Sequence, residues 1–238
     1  MTVSPPEDRE KSSRRDFLGD LGSLAALATL APASAAQTLS PNAAACLLTP
    51  AATEGPFYVG DAQLRSDIRD GRPGQPLRLR LMVVDADHDC TPVQGALVSI
   101  WHCDAEGSYS GEDGPRDATR FLRGVQPTAA DGAAAFVTIY PGWYRPRAVH
   151  IHFKVLLANA EVLTSQLYFS DALNREVLGS HPAYRARGVP TRGNAQDPIA
   201  GGQPPLVHVR SGTEWLDGDF IVGIARGGAH RAGVRSSL

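Results

Sequence analysis

The sequence predicts an all-β fold, an antiparallel β-sandwich with long active-site loops. About seven short runs are rich in valine, isoleucine and aromatic residues, which favour extended strands. Clusters of Gly, Pro and Asp, such as residues 72–74 and 130–132, separate these runs as turns. Only residues 171–179 have helical character, and this stretch is short. Many short strands with turns between them favour a sandwich over an α/β architecture.

Residues 1–36 predict a twin-arginine signal peptide in front of the sandwich domain. Residues 13–18, Ser-Arg-Arg-Asp-Phe-Leu, resemble the twin-arginine export motif, and a mildly apolar stretch follows at residues 21–33. Small residues at 33–36 supply a cleavage pattern, and the apolar stretch is too short to span a bilayer. We therefore expect an exported protein, periplasmic or extracellular, with no stable membrane anchor after processing.

The predicted sandwich domain covers residues 37–226, and a loose C-terminal tail covers residues 227–238. Residues 77–84 begin with an alternation of Leu and Arg that is typical of a strand with one buried face. Residues 184–205 are rich in Gly, Pro and Arg and predict a long surface loop. The other strands are predicted at residues 96–102, 134–140, 149–157, 162–169, 206–209 and 220–225.

Composition and charge narrow the classes of partner. The chain has 238 residues, of which 42% are hydrophobic and 20% are charged, an ordinary globular composition. Its formal net charge of -2 gives no reason to expect nucleic acid or an anionic membrane as a partner. Outside the cytoplasm, the three cysteines allow one disulfide and one remaining thiol, and the sequence leaves the pairing open.

A His-x-His pair in an apolar run is the strongest chemical signal. In an extended strand, side chains two positions apart point to the same face, so His150 and His152 can bind one metal ion. Tyr144 and Arg147 lie just upstream, close enough to reach the same place from a loop. The pattern predicts a metal site with a fixed positive charge beside it.

Four ordered segments of the chain resemble, in the same order, the motifs of one known family. Residues 53–58, Thr-Glu-Gly-Pro-Phe-Tyr, resemble an N-terminal signature of that family, and residues 92–110 resemble the strand and turn that deliver its first tyrosine ligand. Residues 141–153 resemble the segment with its second tyrosine, an arginine and both histidines. Residues 164–169 resemble the following strand. That family is the intradiol ring-cleavage dioxygenases, the protocatechuate and catechol dioxygenases, and the chain resembles its exported, single-domain branch.

The resemblance implies intradiol cleavage of a catechol-type aromatic diol with O2, to give a muconate-type diacid. Tyr144 would be displaced by the substrate, Arg147 would stabilise negative charge on the ring, and Gln166 would line the same pocket. Phenolate and imidazole suit a highly charged iron centre better than a soft one. The implied cofactor is one non-haem Fe(III) ion per chain, and its implied ligands are Tyr109, Tyr144, His150 and His152.

The chain also departs from the best-known members of that family. The connection from Tyr144 to His150 is shorter than theirs, which predicts a more open site and broader or larger substrates. No helical N-terminal dimerisation domain of the kind found in catechol-cleaving members is expected. Neither the ring substituents nor the oligomeric state follows from the sequence, so a homo-oligomer stays open.

Two other classes of function are compatible with parts of the pattern. A non-catalytic β-sandwich module could bind aromatic ligands while keeping the family's shape. A zinc-dependent hydrolase could use His150 and His152, but it needs a third histidine or carboxylate, and the sequence supplies none at a familiar spacing.

Overall fold

Strand β1, Pro76–Asp85, carries the alternation predicted for residues 77–84 and buries its apolar side chains on one face. The computed structural model describes residues 47–112 and 118–226. The predicted signal peptide at residues 1–36 and the predicted tail at residues 227–238 lie outside these ranges and stay predictions.

The first sheet has five strands in the order β2-β1-β9-β8, with β5 also paired to β1. Every pair in it is antiparallel except β1 with β9, which run parallel from Leu77 opposite Leu216 to Asp85 opposite Ile224. The predicted antiparallel β-sandwich is confirmed, and β1 with β9 is the one parallel strand pair among the described residues. No hairpin joins β1 to β9, so the short-turn constraint that enforces antiparallel pairing is absent. The strands added to β1 are β2 (Thr91–Pro92), β5 (Ala133–Ile139), β8 (His208–Ser211) and β9 (Leu216–Ile224).

The second sheet has four antiparallel strands in the order β4-β3-β6-β7. Its register sets Trp101 opposite His152, His152 opposite Gln166, and His150 opposite Tyr168. Residues directly opposite each other share a face, so these side chains form two adjacent rows. The strands are β3 (Leu97–Trp101), β4 (Arg123–Pro127), β6 (His150–Leu157) and β7 (Ala160–Tyr168).

The two faces of β6 have different neighbours. Ile151, Phe153 and Val155 point into the main hydrophobic core, together with the leucines of β1. His150 and His152 alternate with them and therefore point to the other face of the second sheet. That face is covered by the segment of residues 52–58, so both imidazoles are buried although they lie outside the core.

The helical prediction is confirmed, whereas the loop prediction for residues 184–205 is partly wrong. Helix α1, Asp171–Ser180, begins after Ser170, whose hydroxyl accepts a hydrogen bond from the Leu173 backbone N–H. A short helix α2, Pro182–Arg185, and a 3-10 turn, Asn194–Gln196, occupy part of the predicted loop. Strands β2 and β4 were not predicted, because Thr91–Pro92 is very short and Arg123–Pro127 contains Gly and Pro.

One cysteine is disulfide-bonded and another is free. Cys90 takes part in a disulfide, whereas Cys103 is a buried free thiol. Cys46 lies outside the described residues. Within the described ranges, no helix combines the length and apolar character needed to cross a bilayer.

Candidate metal centre

Strand β6 places both histidines of the His-x-His pair in one buried cluster. The two Nε2 atoms of His150 and His152 lie 3.1 Å apart. Trp101, opposite His152 on β3, stacks on its ring with centroids 5.0 Å apart. The imidazole planes are thus fixed by packing as well as by the strand.

Two loops bring the tyrosines to the same point. Tyr144 lies before β6, in a turn closed by a 2.8 Å hydrogen bond from the Arg147 backbone N–H to the Tyr144 carbonyl. Tyr109 follows a turn after β3, where the Asp104 carboxylate accepts hydrogen bonds from the backbone N–H groups of Glu106 and Ser108. This Asx-type turn aims the Tyr109 ring back at the second sheet.

The four predicted ligand atoms converge around His150. Its Nε2 lies 3.4 Å from the Tyr109 hydroxyl oxygen, 3.4 Å from the Tyr144 hydroxyl oxygen and 3.1 Å from His152 Nε2. Two ligand atoms bound at about 2.1 Å to one ion, at roughly 90–110° to each other, lie about 3.0–3.4 Å apart. The spacing of these donors therefore fits a single shared ion.

The electrostatics of the cluster also favour a cation. Burial lowers the pKa of His150 to about 3 and lowers the pKa of His152 well below its usual value, so both imidazoles are neutral at pH 7. His150 Nδ1 lies 2.7 Å from the Ala148 carbonyl oxygen, which accepts a hydrogen bond from Nδ1–H, so the neutral ring carries its proton on Nδ1 and a lone pair on Nε2. Burial raises the pKa of Tyr109 and of Tyr144, and a bound cation would reverse that shift.

The segment of residues 53–58 covers the cluster. Phe57 stacks on the Tyr109 ring with centroids 4.4 Å apart and meets the Tyr144 ring edge-on at 5.8 Å. Gly55 has a φ of +75°, and a Cβ added there would lie 3.3 Å from His152 Cε1. This close approach requires glycine, and it shields the imidazoles from water.

Arg147 is buried and held by three side chains. Its Nε donates to Asp197 at 2.9 Å, and its Nη2 donates to Gln166 and, at 2.9 Å, to the Tyr168 hydroxyl. Its Nη1 lies 3.4 Å from His150 Nε2. Burial opposes the charged form of Arg147, but the hydrogen bond and charge of Asp197 outweigh burial and raise its pKa.

The sequence prediction missed Asp197 and Tyr168. Tyr168 could have been found, because it lies two positions after Gln166 on the same strand and therefore on the same face. Asp197 had no such signal, since it lies 50 residues after Arg147 within a predicted surface loop. All six residues that the sequence did predict, including Gln166, lie in this one cluster.

A small cavity of about 100 Å³ adjoins Arg147. It is rich in cationic side chains and contains no acidic one, and its lining residues are Trp143, Arg145, Pro146, Arg147, Pro190, Thr191 and Arg192. None of the four donor residues lines it; Tyr144 is half-buried, whereas Tyr109 is buried. The open side of the donor cluster is therefore the side of Tyr144.

Among the described residues, no three His, Cys, Asp or Glu side chains converge on a common point. The nearby His102 is engaged elsewhere, with Nε2 2.7 Å from the Thr138 hydroxyl and Nδ1 2.8 Å from the Cys103 carbonyl. The donor set thus lacks the third histidine or carboxylate of the zinc hydrolase hypothesis and depends on its two tyrosines.

Comparison with known proteins gives a consistent result. A family model described as Dioxygenase matches residues 53–174. Catechol 1,2-dioxygenase 1 of Acinetobacter lwoffii is 32% identical over 50% of this chain and 45% of its own length. Chlorocatechol 1,2-dioxygenase of Cupriavidus pinatubonensis is 32% identical over 50% of this chain and 53% of its own length. The chain spans about half the length of these curated relatives.

Among solved structures, an intradiol ring-cleavage dioxygenase from Tetranychus urticae is similar to this chain, with a TM-score of 0.71 and 28% identity. The match covers 79% of this chain and 98% of that one. The dioxygenase domain of a dioxygenase and carbohydrate-binding fusion protein from Streptomyces sp. SirexAA-E matches with a TM-score of 0.56 and 30% identity.

Proposed function

This chain belongs to the intradiol ring-cleavage dioxygenase family, and on that basis we propose that it cleaves catechol-type aromatic diols with O2 at a non-haem Fe(III) site. The products would be muconate-type diacids. The observation that carries the proposal is that two phenol oxygens and the neutral His152 Nε2 all lie within 3.1–3.4 Å of the neutral His150 Nε2.

Tyr109, Tyr144, His150 and His152 would hold the ion. When bound, Fe(III) supplies a Lewis-acid and redox centre that prepares a diol for reaction with O2. Two phenolates balance two of its three charges, which suits a buried site better than neutral donors alone. The deeper Tyr109 and His152 are the more permanent members, because Phe57 and Trp101 pack on their rings.

Tyr144 is the residue that meets the substrate. Its ring is half-buried whereas Tyr109 is buried, so a diol that approaches from solvent meets Tyr144 before it meets Tyr109. A phenolate oxygen at Tyr144 can accept a proton from the diol, acting as a general base at that atom. Arg147 Nη1 faces the donor cluster, 3.4 Å from His150 Nε2, and stabilises negative charge that develops on the aromatic ring of the substrate.

The cavity beside Arg147 supports a finer proposal about the substrate, namely that the ring carries an anionic substituent. Asp197 already compensates the charge of Arg147, whereas Arg145 and Arg192 have no ion-pair partner among the described residues. Their two positive charges face a cavity without an acidic side chain. A carboxylate on the substrate would complement them.

The proposal is tested by visible absorption of the iron-loaded protein before and after anaerobic addition of catechol, followed by oxygen uptake. We expect a broad tyrosinate-to-iron band that shifts with catechol, and its loss in Tyr109→Phe. Tyr184→Phe is the matched control, because it removes a buried tyrosine hydroxyl that donates to the Tyr140 carbonyl, away from the donor cluster.

Two results would contradict the proposal. A protein that stays colourless after iron reconstitution would favour the zinc hydrolase or the non-catalytic module. A coloured protein that shifts with catechol yet consumes no oxygen would favour the non-catalytic module that binds aromatic ligands.

Export through the twin-arginine pathway is the second part of the proposal. The Arg14-Arg15 pair and the small residues at 33–36 support it. The disulfide at Cys90 also supports it, because disulfides persist in oxidising compartments.

A further inference from the structure

The planar guanidinium of Arg147 has five N–H groups, and each neighbouring side chain accepts a hydrogen bond from a particular nitrogen of the group. Nε donates to Asp197 at 2.9 Å, while Nη2 donates to Gln166 and to Tyr168. Because the group is rigid and planar, fixing Nε and Nη2 also fixes Nη1. Nη1 is the nitrogen that faces the metal-donor cluster, 3.4 Å from His150 Nε2.

We propose that Asp197 is a positioning residue that aims the Nη1 edge of Arg147 at the reacting ring. This inference rests on the proposed dioxygenase function. Asp197 does not line the cavity and contacts none of the four donor atoms, so it acts through Arg147. It also supplies the negative charge that keeps a buried guanidinium from standing alone.

Asp197 is itself held with little freedom. Its Oδ2 accepts the Ala148 backbone N–H at 2.6 Å in addition to Arg147 Nε, and its Oδ1 accepts the backbone N–H groups of Ile199 and Ala200, both at 2.8 Å. Burial alone would raise the pKa of Asp197, but the hydrogen bonds from Arg147 and the backbone hold it below its usual value. The carboxylate is therefore ionised and oriented before any substrate arrives.

The Arg147–Asp197 ion pair is almost fully shielded from solvent. The exposed fractions of the two side chains are 7% and 0%. Removing one member of a buried pair leaves an uncompensated charge, whereas removing both does not. A role that Asp197 performs through Arg147 must therefore disappear when Arg147 is absent, and a double-mutant cycle detects this.

The cycle compares wild type, Asp197→Asn, Arg147→Met and the double variant. Asp219→Asn is the matched control, because Asp219 pairs with Arg210 on an exposed face of the first sheet. In iron-loaded protein, we expect Asp197→Asn to retain iron and its tyrosinate band while kcat falls about 10- to 100-fold. The anaerobic dissociation constant for catechol should change less than about threefold, and the double variant should be no slower than Arg147→Met.

A second readout uses metal-free protein and needs no activity. Asp197→Asn should melt at a lower temperature than wild type, and the double variant should melt higher than Asp197→Asn alone, because the unpaired buried charge has gone. Additive losses of melting temperature would show that Asp197 merely holds the chain together and would overturn the inference. An unchanged kcat in iron-loaded Asp197→Asn, or additive losses of kcat, would overturn it as well.

The two proposals fail in different ways. If wild-type protein with iron and catechol consumes no oxygen, the dioxygenase function is refuted, and the catalytic part of this inference falls with it. The melting comparison then still decides the structural part, since recovery in the double variant supports the buried charge pairing of Asp197 with Arg147 and its absence refutes that pairing. If wild type is active, failure of the cycle concerns Asp197 alone.

Discussion

His102 provides a sharp test of the electrostatics behind the candidate site. The side chain lies at the end of β3 and hydrogen-bonds across to Thr138 on β5, so it is a polar link between the two sheets. It is fully buried, and burial lowers its pKa from 6.5 to about 4. Between pH 4 and pH 6.5, the His102 imidazole is therefore protonated in the unfolded chain but neutral in the folded protein.

The sign and size of the effect follow from this difference. Because the folded pKa is depressed, the neutral form is stabilising above pH 6.5, and stability is lost as pH falls towards 4. One pKa unit corresponds to about 1.4 kcal/mol. Between pH 7.5 and pH 5, His102 should thus remove about 2 kcal/mol from the free energy of unfolding, and about 3 kcal/mol once pH lies below both pKa values.

The assay is urea unfolding of metal-free protein at pH 7.5 and pH 5, for wild type and for His102→Gln. The variant removes the titrating group, so its stability should fall about 2 kcal/mol less than that of wild type over the same interval. His208→Gln, an exposed histidine on β8, is the matched control and should follow wild type. Equal losses in wild type and His102→Gln would refute the reasoning.

Three further predictions concern the cover, the cavity and export. Gly55→Ala should lower the free energy of unfolding by about 1 kcal/mol, because the φ of residue 55 is +75°. Elemental analysis should show weaker iron retention, because the new Cβ would lie 3.3 Å from His152 Cε1. Unchanged iron content would contradict this expectation. The double variant Arg145→Gln/Arg192→Gln should lose about fivefold more kcat/KM for 3,4-dihydroxybenzoate than for 4-methylcatechol, and this difference should shrink at high salt. Equal losses for the two substrates would refute a subsite for an anionic substituent. Arg185→Gln, at an exposed arginine outside the cavity, is the control. Replacing Arg14 and Arg15 with Lys should keep the protein in the cytoplasm in cell fractionation, and continued export would exclude the twin-arginine route.

The sequence was most informative where its pattern is local. The alternation around His150 and His152 predicts a strand with both imidazoles on one face, and β6 has that form. The resemblance to a known family, and not any periodicity, singled out Tyr109, because a lone tyrosine after a strand carries no signal of its own. The structure brings Tyr109 within 3.4 Å of His150, which local pattern alone could not predict.

Long-range relations were the part that the sequence could not supply. The parallel pairing of β1 with β9 depends on a connection through the other sheet, which leaves no trace in either strand. Asp197 is similar, because a single aspartate among Gly, Pro and Arg residues has the character of a surface turn. Only its four hydrogen bonds, to Arg147 and to the backbone of Ala148, Ile199 and Ala200, distinguish it.

The alternation of core residues and histidines along β6 makes the metal site depend on correct folding of the core. A slip of one residue against β3 or β7 would turn Ile151 and Phe153 outward and push His150 and His152 among the core leucines. Such a chain would lose its core and its donor cluster in the same step. A folded protein with an intact core but wrongly placed imidazoles is therefore poorly accessible. The register that packs the core is the same register that places the metal donors.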